Sequence, residues 1–247
     1  MAADVVAGKR AVLEAVRSGV ADEVLVARGA RRSPAMRDVV DAARSEHVRI
    51  REVDREDLDE LADDHRGVAA RVLRQPPALG ERDLSEWAWA SDAIVVVLDG
   101  VEDPQNLGAA ARSVEAAGGA MLVTRTHRSA PPTAAAIRAS AGALLHLPHA
   151  RVANLSRALD RLRDAGFTTI GLDGDASRSV FDDPCPEGRV ALVVGSEGAG
   201  MSRLVREHCD LLVSLPMHGK VESLNAAASL AAVLYGYVLA GREGSAG

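Results

Sequence analysis

The chain is poor in aromatic residues and lysine, and it lacks the patterns of several common protein classes. Aromatics make up 2% of the 247 residues, so the core must be built from Val, Leu, Ile and Ala. No apolar run is long enough to span a bilayer, and the N-terminus carries no charged-then-apolar signal stretch. These absences predict a soluble, cytoplasmic protein with no membrane partner.

Metal and thiol chemistry have little support. The two cysteines, Cys185 and Cys209, form no metal-binding pattern, and a structural disulfide is not expected. Cys185 lies between two prolines without an evident base, which disfavours a nucleophilic thiol. The seven histidines show no His-x-x-x-His or Cys-His ligand spacing. The sequence therefore predicts no metal site.

The overall charge gives no general electrostatic case for a nucleic-acid partner. The net charge is -6 and the sequence pI is about 5.7. Lys9 and Lys220 are the only lysines, so nearly all cations are arginines, which bind phosphate in a bidentate manner. Genomic base composition would produce the same bias.

Two α/β regions separated by a proline-containing linker are expected. Alternating helix and strand patterns predict a small α/β unit in residues 1–75, and Pro76 and Pro77 mark a linker over residues 76–92. Trp87 and Trp89 are expected to pack where the two units meet. A larger domain follows over residues 93–241, with a tail over residues 242–247. In the small unit, helices are predicted at 9–18, 34–46 and 54–61, and strands at 23–27, 48–53 and 68–73.

The larger domain has the pattern of a parallel sheet with helices on both faces. Its first strand, Ile94 to Leu98, is continuously apolar, as expected for a strand that is covered on both sides. Helices and strands then alternate, which favours parallel βαβ connections. Further strands are predicted at 121–124, 144–147, 167–172, 190–194 and 211–215, and helices at 107–117, 133–141, 154–165, 201–207 and 226–240.

Three loops of the larger domain follow predicted strands, where open parallel sheets bind their ligands. The first contains Asn106 and leads to Arg112, the second is Gly-rich and contains Glu197, and the third contains Ser223 and Asn225. Each loop also has a structural explanation. Asn106, Ser223 and Asn225 are good helix N-caps, Arg112 could be a solvated helix residue, and Glu197 could be a first-turn acid.

Other ligand-binding and catalytic motifs are absent from these loops. The second loop contains neither G-x-G-x-x-G nor a Gly-Lys-Ser/Thr ending, which counts against a dinucleotide-binding enzyme. Its Gly195-Ser196-Glu197-Gly198 run is one residue too short for a nucleophile elbow.

Taken together and in this order, the three loops resemble the SpoU-type RNA 2'-O-ribose methyltransferases of the SPOUT superfamily. The resemblance rests on Asp99-Gly100-Val101-Glu102-Asp103-Pro104-Gln105-Asn106-Leu107-Gly108 with Arg112, on Gly195 to Gly198, and on Leu215 to Met217 with Glu222 to Asn225. It covers Ile94 to about Tyr235. Gly8 to Ala15 resembles the start of the bacterial 23S ribosomal RNA guanosine methyltransferase branch, and Ser140 to Ala143 with His146 to Pro148 also match that branch.

The resemblance implies a fold and a site. It implies a C-terminal trefoil knot, a preceding ribosomal protein L30e-like domain that binds RNA, and a homodimer whose site draws residues from both subunits. S-adenosylmethionine is the implied methyl donor. The implied catalytic residues are Asn106, Arg112, Glu197, Ser223 and Asn225. The implied cofactor-binding residues are Thr124, Gly195, Leu215, Met217 and Leu224.

The small unit departs from that branch in two places. His65-Arg66-Gly67 stands where the branch usually carries His-Gln-Gly, and Lys9-Arg10 stands where relatives often hold a His. These departures concern RNA contacts rather than the chemistry. We expect basic residues to gather on one face of the small unit, with Arg28, Arg31, Arg32 and Arg66 as members.

The expected reaction is transfer of a methyl group from a sulfonium to a ribose 2'-hydroxyl, with Glu197 as the counter-ion of Arg112. Arginine is too basic to act as a proton acceptor, so we favour Arg112 as a clamp for the substrate phosphate. The target is expected to be a guanosine of 23S ribosomal RNA. A transfer RNA or an antibiotic-resistance site in ribosomal RNA is the alternative substrate, and a non-catalytic RNA-binding protein is the alternative class.

Overall fold

The computed structural model describes residues 4–17, 19–30, 34–62, 64–72, 79–182, 184–219 and 223–240. The chain forms two compact units. The first comprises Met1–Gln75 with the short segment Pro132–Ala135, and the second comprises Pro76–Pro131 with Ala136–Gly247. No helix among the described residues is long and apolar enough to cross a membrane.

Within its described residues, the small unit is a four-stranded mixed sheet with three α-helices. Its strand order is β1-β4-β2-β3; β4 runs antiparallel to both of its neighbours, and β2 and β3 are parallel. The edge strand β1 was not predicted, because four residues are too few to show an alternating pattern. The elements are β1 (Asp4–Ala7), α1 (Lys9–Arg17), β2 (Ala21–Ala27), α2 (Pro34–Ser45), β3 (Arg49–Val53), α3 (Arg55–Asp59) and β4 (Val68–Val72).

The large unit contains a six-stranded, fully parallel sheet with the strand order β10-β8-β9-β5-β6-β7. The predicted parallel sheet is confirmed. Its strands are β5 (Ile94–Asp99), β6 (Met121–Arg125), β7 (His149–Val152), β8 (Phe167–Leu172), β9 (Arg189–Gly195) and β10 (Leu211–Val213). Its helices are α4 (Asp83–Glu86), α5 (Pro104–Ala116), α6 (Ala134–Ala139), α7 (Leu155–Asp164), α8 (Arg203–Glu207) and α9 (Ala226–Val233).

Helices cover both faces of this sheet. All six residues of β5 are buried, and alternate side chains of a strand point to opposite faces. Val95 and Val97 pack in one cluster with Leu155 and Leu159 of α7. The opposite face carries α5 and α9, which pack against each other and against strands of the sheet. Burial on both faces explains why the strand reads as a continuous apolar run.

The predicted strand at residues 144–147 is wrong. Ala143–Leu145 is a turn of 3-10 helix, and the edge strand is β7. Leu144 and Leu147 are almost fully buried without lying in a strand. A short apolar run shows burial but does not distinguish a strand from a helical turn.

Residues 79–92, which were predicted to be linker, pack on the large unit. Leu79 pairs with Ala150 of β7, and α4 lies against α7. Trp87 and Trp89 pack against the large unit's core, where Trp89 meets Phe167 edge-on with ring centroids 4.9 Å apart. The remaining linker residues, 76–78, and the predicted tail lie outside the described residues.

Candidate active site

The carboxyl edge of the parallel sheet is organised around the buried Asp99, the last residue of β5. Its carboxylate pairs with Arg125 at the end of β6 at 3.0 Å and accepts the backbone N–H of Ser202 at 2.8 Å. Arg125 in turn donates to the Ser202 hydroxyl at 3.0 Å. These contacts fix the segment between β9 and α8 against the ends of β5 and β6. Sequence reasoning did not single out this trio, because the partners are far apart in the chain.

Asp103, not Asn106, is the N-cap of α5. Its carboxylate accepts the N–H of Gln105 at 3.0 Å, and Pro104 occupies the first helical turn. Proline is favoured there because the first N–H groups of a helix have no partner within it. The helix therefore begins three residues earlier than predicted. As a result the Asn106 side chain is not used for capping and reaches the loop after β9.

Asn106, Glu197 and Asn225 are joined by direct hydrogen bonds. Asn106 Nδ2 donates to Glu197 Oε1 at 2.9 Å, and Asn225 Nδ2 donates to the same oxygen at 2.5 Å. Asn225 Nδ2 also lies 2.8 Å from Asn106 Oδ1. The backbone N–H of Ala226 approaches Glu197 Oε1 at 3.4 Å. The three predicted loops thus meet at one carboxylate oxygen.

Asn225 is also the N-cap of α9, as its sequence position allowed. Its Oδ1 accepts the N–H groups of Ala227 at 2.9 Å and Ala228 at 3.3 Å. The two ends of one amide therefore perform different tasks, because the oxygen caps the helix while the nitrogen binds Glu197. Ser223 is exposed and does not cap the helix.

The loop that carries Glu197 folds back on the end of β9. Ser196 and Gly200 exchange two backbone hydrogen bonds, at 3.1 and 3.0 Å. A Cβ on Gly195 would lie 2.0 Å from the Gly200 carbonyl carbon. In the direction of a side chain, the atoms that approach Gly195 belong to the chain itself. The glycine is thus required by the loop that positions Glu197.

The segment after β10 has the character of a binding surface. Leu215 is partly buried, whereas Met217 and Leu224 expose 37% and 42% of their surface. Among the described residues, the backbone of Leu215–Gly219 forms no hydrogen bond with another protein group. Backbone polar groups require partners from water or a ligand when the chain offers none. This segment therefore presents apolar side chains together with free backbone donors and acceptors.

Arg112 does not join this cluster within one chain. It is exposed on α5, six residues after Asn106, and lies about 120° around the helix from it. Arg112 forms no ion pair or hydrogen bond with any residue that the structure describes. The expected pairing of Arg112 with Glu197 is therefore wrong within the chain, since the Glu197 oxygen is bound by asparagine amides instead.

Thr124 is not presented to an open surface. Its side chain is fully buried in β6, and its hydroxyl lies 2.8 Å from Nε2 of His149. Burial, with Arg151 nearby, lowers the pKa of His149 to about 4, so the pair is neutral at physiological pH. The Thr124 side chain is therefore bound within the chain, and the role of this residue in cofactor binding stays a prediction. Burial also raises the pKa of the Cys209 thiol to about 12, which removes it as a nucleophile.

Arg28 and Arg66, the two described residues among the predicted RNA contacts, lie at one end of the small unit's sheet. Arg28 follows β2 and pairs with Asp54 at 3.1 Å, while Arg66 precedes β4 and pairs with Asp64 at 3.0 Å. The N–H of Ala27 binds the Gly67 carbonyl, which brings the two segments together. Arg31 and Arg32 lie outside the described residues.

A cleft of about 780 Å³ lies at this end of the small unit. Lys9, Arg10 and Arg66 line it together with Glu14 and Asp64, so it contains cations that were not predicted as contacts. The buried His65 supports the turn, since Nδ1 accepts the Gly67 N–H at 3.0 Å and Nε2 lies 2.8 Å from Asp59. Among the described residues, no group of three or more His, Cys, Asp or Glu is placed to hold a metal ion.

Comparison with known proteins agrees with both units. Residues 93–235 match the SpoU rRNA Methylase family, and residues 5–78 match the family described as RNA 2'-O ribose methyltransferase substrate binding. An uncharacterized tRNA/rRNA methyltransferase of Mycolicibacterium vanbaalenii is 44% identical over 235 residues, covering 94% of this chain and 74% of the relative. A similarly described protein of Mycolicibacterium smegmatis is 41% identical over 237 residues, with 94% and 74% covered.

Solved structures give the same result. The SpoU methyltransferase AviRb from Streptomyces viridochromogenes, in complex with the cofactor AdoMet, is 30% identical with a TM-score of 0.63, covering 98% of this chain and 91% of that one. An RNA 2'-O ribose methyltransferase is 27% identical with a TM-score of 0.60, covering 97% and 88%. The family resemblance predicted from the three loops is confirmed, and the chain belongs to the SpoU rRNA methylase family.

Proposed function

We propose that this chain transfers a methyl group from S-adenosylmethionine to a ribose 2'-hydroxyl of RNA, and that its target is a guanosine of 23S ribosomal RNA. The observation that carries the proposal is the convergence of Asn106 and Asn225 on Glu197 Oε1, at 2.9 and 2.5 Å. Three loops distant in sequence meet there at the sheet edge where parallel α/β folds bind ligands.

The segment after β10 fits the methyl donor. Exposed Met217 and Leu224 offer apolar contact for the adenine and the aliphatic chain, and the unpaired backbone of Leu215–Gly219 offers hydrogen bonds to polar groups. Gly195 also allows the Glu197 loop to fold. We propose Leu215, Met217 and Leu224, together with Gly195 and Thr124, as cofactor-binding residues.

Methyl transfer requires activation of the ribose hydroxyl, whereas the leaving group requires no acid. Bound S-adenosylmethionine supplies an electrophilic methyl group whose leaving group is a neutral thioether. A ribose hydroxyl is a weak nucleophile at its free pKa. Glu197 Oε1 is occupied by amide donors, whereas its Oε2 has no partner among the described residues. Oε2 is therefore the acceptor that would orient the hydroxyl and take its proton as the O–CH3 bond forms and the S–CH3 bond breaks. Ser223 would lie on the RNA side, and catalysis would rest mainly on positioning.

Arg112 would act from the partner subunit of a homodimer. Within one chain it faces away from Asn106 and has no described partner. A second copy would provide an arginine to the cluster and would receive one in return, as two-fold symmetry requires. Its guanidinium would clamp the phosphate beside the target ribose and stabilise the oxyanion that develops.

The small unit would hold the RNA as a ribosomal protein L30e-like domain. Lys9, Arg10, Arg28 and Arg66 lie at one end of its sheet, and Arg31 and Arg32 are proposed as further contacts. Asp54 and Asp64 neutralise two of these arginines in the free protein. RNA phosphate would compete with those carboxylates, so binding should weaken steeply with salt.

A trefoil knot is also proposed for the large unit. After β10 at one edge of the sheet, the chain returns to α9, which packs on α5. On the way, Ser214 exchanges backbone hydrogen bonds with Arg178 and Val180 of the loop between β8 and β9. This contact between the segment after β10 and the loop between β8 and β9 supports a knotted path, which is a rare exception in proteins.

Two other substrates and one other class remain candidates. Transfer RNA and an antibiotic-resistance site in ribosomal RNA would use the same chemistry. For any of these substrates we propose a cytoplasmic location. A non-catalytic RNA-binding protein would not require the hydrogen bonds that join Asn106, Glu197 and Asn225.

The test is methyl transfer with purified protein. Labelled S-adenosylmethionine is incubated with 23S, 16S and transfer RNA from a strain lacking the gene, and the products are digested to nucleosides. We expect 2'-O-methylguanosine in 23S RNA that is lost with Glu197→Gln. A 2'-O-methyl product only in transfer RNA would overturn the substrate, and the absence of any transfer would overturn the enzymatic function.

A further inference from the structure

The loop that follows β6, residues 126–130, is held firmly at both ends. At its start, the Thr126 N–H donates to the Val152 carbonyl at 2.8 Å, and Arg151 Nη2 donates to the Thr126 carbonyl at 2.9 Å. At its end, the Ala130 N–H donates to the Val101 carbonyl at 2.8 Å. Both ends of the loop are therefore bound to the large unit, and Arg128 lies at its centre.

That central residue is Arg128, and its backbone is in the left-handed region with φ 55°. Glycine and asparagine adopt this conformation more readily than arginine does, and strained residues of this kind concentrate at functional sites. Arg128 is exposed, and it forms no hydrogen bond or ion pair with any described residue. The backbone strain at Arg128 is thus not offset by any hydrogen bond or ion pair of its side chain with a described residue.

The loop emerges beside the candidate active site. Three residues before Arg128, Arg125 binds Asp99 and the Ser202 hydroxyl, and Ser202 follows the loop that carries Glu197. At the other end of the loop, Val101 lies two residues before Asp103, the cap of α5. Both ends are therefore tied to the segments that position Asn106 and Glu197.

We propose that Arg128 binds a backbone phosphate of the RNA substrate next to the nucleotide whose ribose is methylated. This inference rests on the proposed function. It adds to the RNA contacts a residue that lies outside the three motif loops and outside the small unit. An exposed guanidinium with all of its N–H donors available suits a phosphate in a bidentate manner. The acids Glu102 and Asp103 would repel RNA phosphate at this edge of the sheet unless a cation offset their charge. The Asp103 carboxylate already accepts the Gln105 N–H.

The experiment separates side-chain charge from backbone strain. Wild type is compared with Arg128→Gln, Arg128→Lys and Arg128→Gly, since glycine keeps the left-handed backbone but removes the guanidinium. Arg82→Gln, another highly exposed arginine, is the matched control. Initial rates of methyl transfer are measured against total RNA from a strain lacking the gene, at several KCl concentrations, and also against S-adenosylmethionine.

We expect Arg128→Gln and Arg128→Gly to raise KM for RNA about tenfold, as one lost charge-assisted hydrogen bond predicts. Their kcat and KM for S-adenosylmethionine should stay within about twofold, and the slope of log(kcat/KM) against log[KCl] should shrink by about 0.7–0.9, the value of one phosphate contact. Arg128→Lys should keep most of the slope, and Arg82→Gln should match wild type.

Two results would overturn the inference. One is a wild-type KM and salt slope in both Arg128→Gln and Arg128→Gly. The other is a defect in Arg128→Gln that is absent from Arg128→Gly, which would assign the effect to the backbone. A wild-type protein that transfers no methyl group to RNA would instead contradict the proposed function itself.

Discussion

The side-chain nitrogen of Asn225 donates to Glu197 Oε1 at 2.5 Å while the oxygen of the same amide caps α9. The last helix of the large unit and the carboxylate of the candidate site are therefore fixed by one residue. Asn106 completes the arrangement from α5. The oxygen of this amide caps the helix and its nitrogen binds Glu197, so a substitution can keep one of these contacts and remove the other.

Substitution at Asn225 should separate helix capping from catalysis. Ser is as good an N-cap as Asn, so Asn225→Ser should change stability by only a few tenths of a kcal/mol, whereas Asn225→Ala should lose about 1 kcal/mol. Both variants lose the amide N–H donor to Glu197 and should lower kcat about 10- to 100-fold, as expected for misplaced reacting groups. Chemical denaturation and single-turnover rates measure the two effects. Equal loss of stability in both variants would contradict the dual role.

Mixing two inactive variants should restore activity if the site is shared between subunits. In a heterodimer of Arg112→Ala and Glu197→Gln, one site receives an intact arginine from one chain and an intact glutamate from the other. Random reassociation of equal amounts should recover about one quarter of wild-type activity, because half of the dimers carry one working site of two. Activity is measured after joint unfolding and refolding of the two variants.

No recovery in that mixture, despite heterodimers seen by native mass spectrometry, would place Arg112 in the site of its own chain. Each variant refolded alone is the control, and each should stay inactive.

Gly195→Ala should damage both the fold and the site. The added Cβ would meet the Gly200 carbonyl carbon at 2.0 Å, and overpacking of this kind costs about 1–3 kcal/mol. The loop would have to move, which would carry Glu197 away from Asn106. Gly80→Ala is the control, since its Cβ would make only ordinary contact at 3.9 Å. Thermal unfolding that is unchanged in Gly195→Ala would disprove the tight packing of this loop.

Burial of His149 should make the large unit sensitive to mild acid. Burial lowers the pKa of His149 to about 4, against about 6.5 in the unfolded chain. The folded state therefore binds fewer protons between these values, so the stability contributed by this group is complete above pH 6.5 and is lost as the pH falls towards 4. Between pH 6.5 and 5 the loss should be about 2 kcal/mol.

The measurement for His149 is the free energy of unfolding against pH in wild type and His149→Gln. The variant should lose less stability over that window, because it has no imidazole to protonate on unfolding. Parallel curves for the two proteins would show that His149 is not the group responsible.

The sequence predicted those parts of the fold that repeat a local pattern. Buried strands such as β5 are continuous apolar runs, and Asn225 stands in front of an apolar helical segment where a cap belongs. The positions where prediction failed depend on distant contacts. Leu144 and Leu147 are apolar because they are buried, and nothing local shows that a 3-10 turn rather than a strand buries them.

The candidate site was predicted through its motifs, but its geometry was not. Asn106 was interpreted as a possible cap of α5, but it lies within the helix, and only the structure shows that Asp103 is the cap. Within one chain Glu197 does not pair with Arg112, because Arg112 lies about 120° around α5 from Asn106. The Asp99, Arg125 and Ser202 contacts join segments up to 103 residues apart, which no local pattern reveals.

The most direct test of the central claim is the identity of the methylated position in RNA. Ribosomal and transfer RNA from wild type, from a strain lacking the gene, and from a strain carrying Glu197→Gln are digested and mapped by mass spectrometry. The account predicts one 2'-O-methylated nucleotide that is present in wild type and absent from both other strains. Loss of a base-methylated nucleotide instead, or an unchanged map, would contradict it.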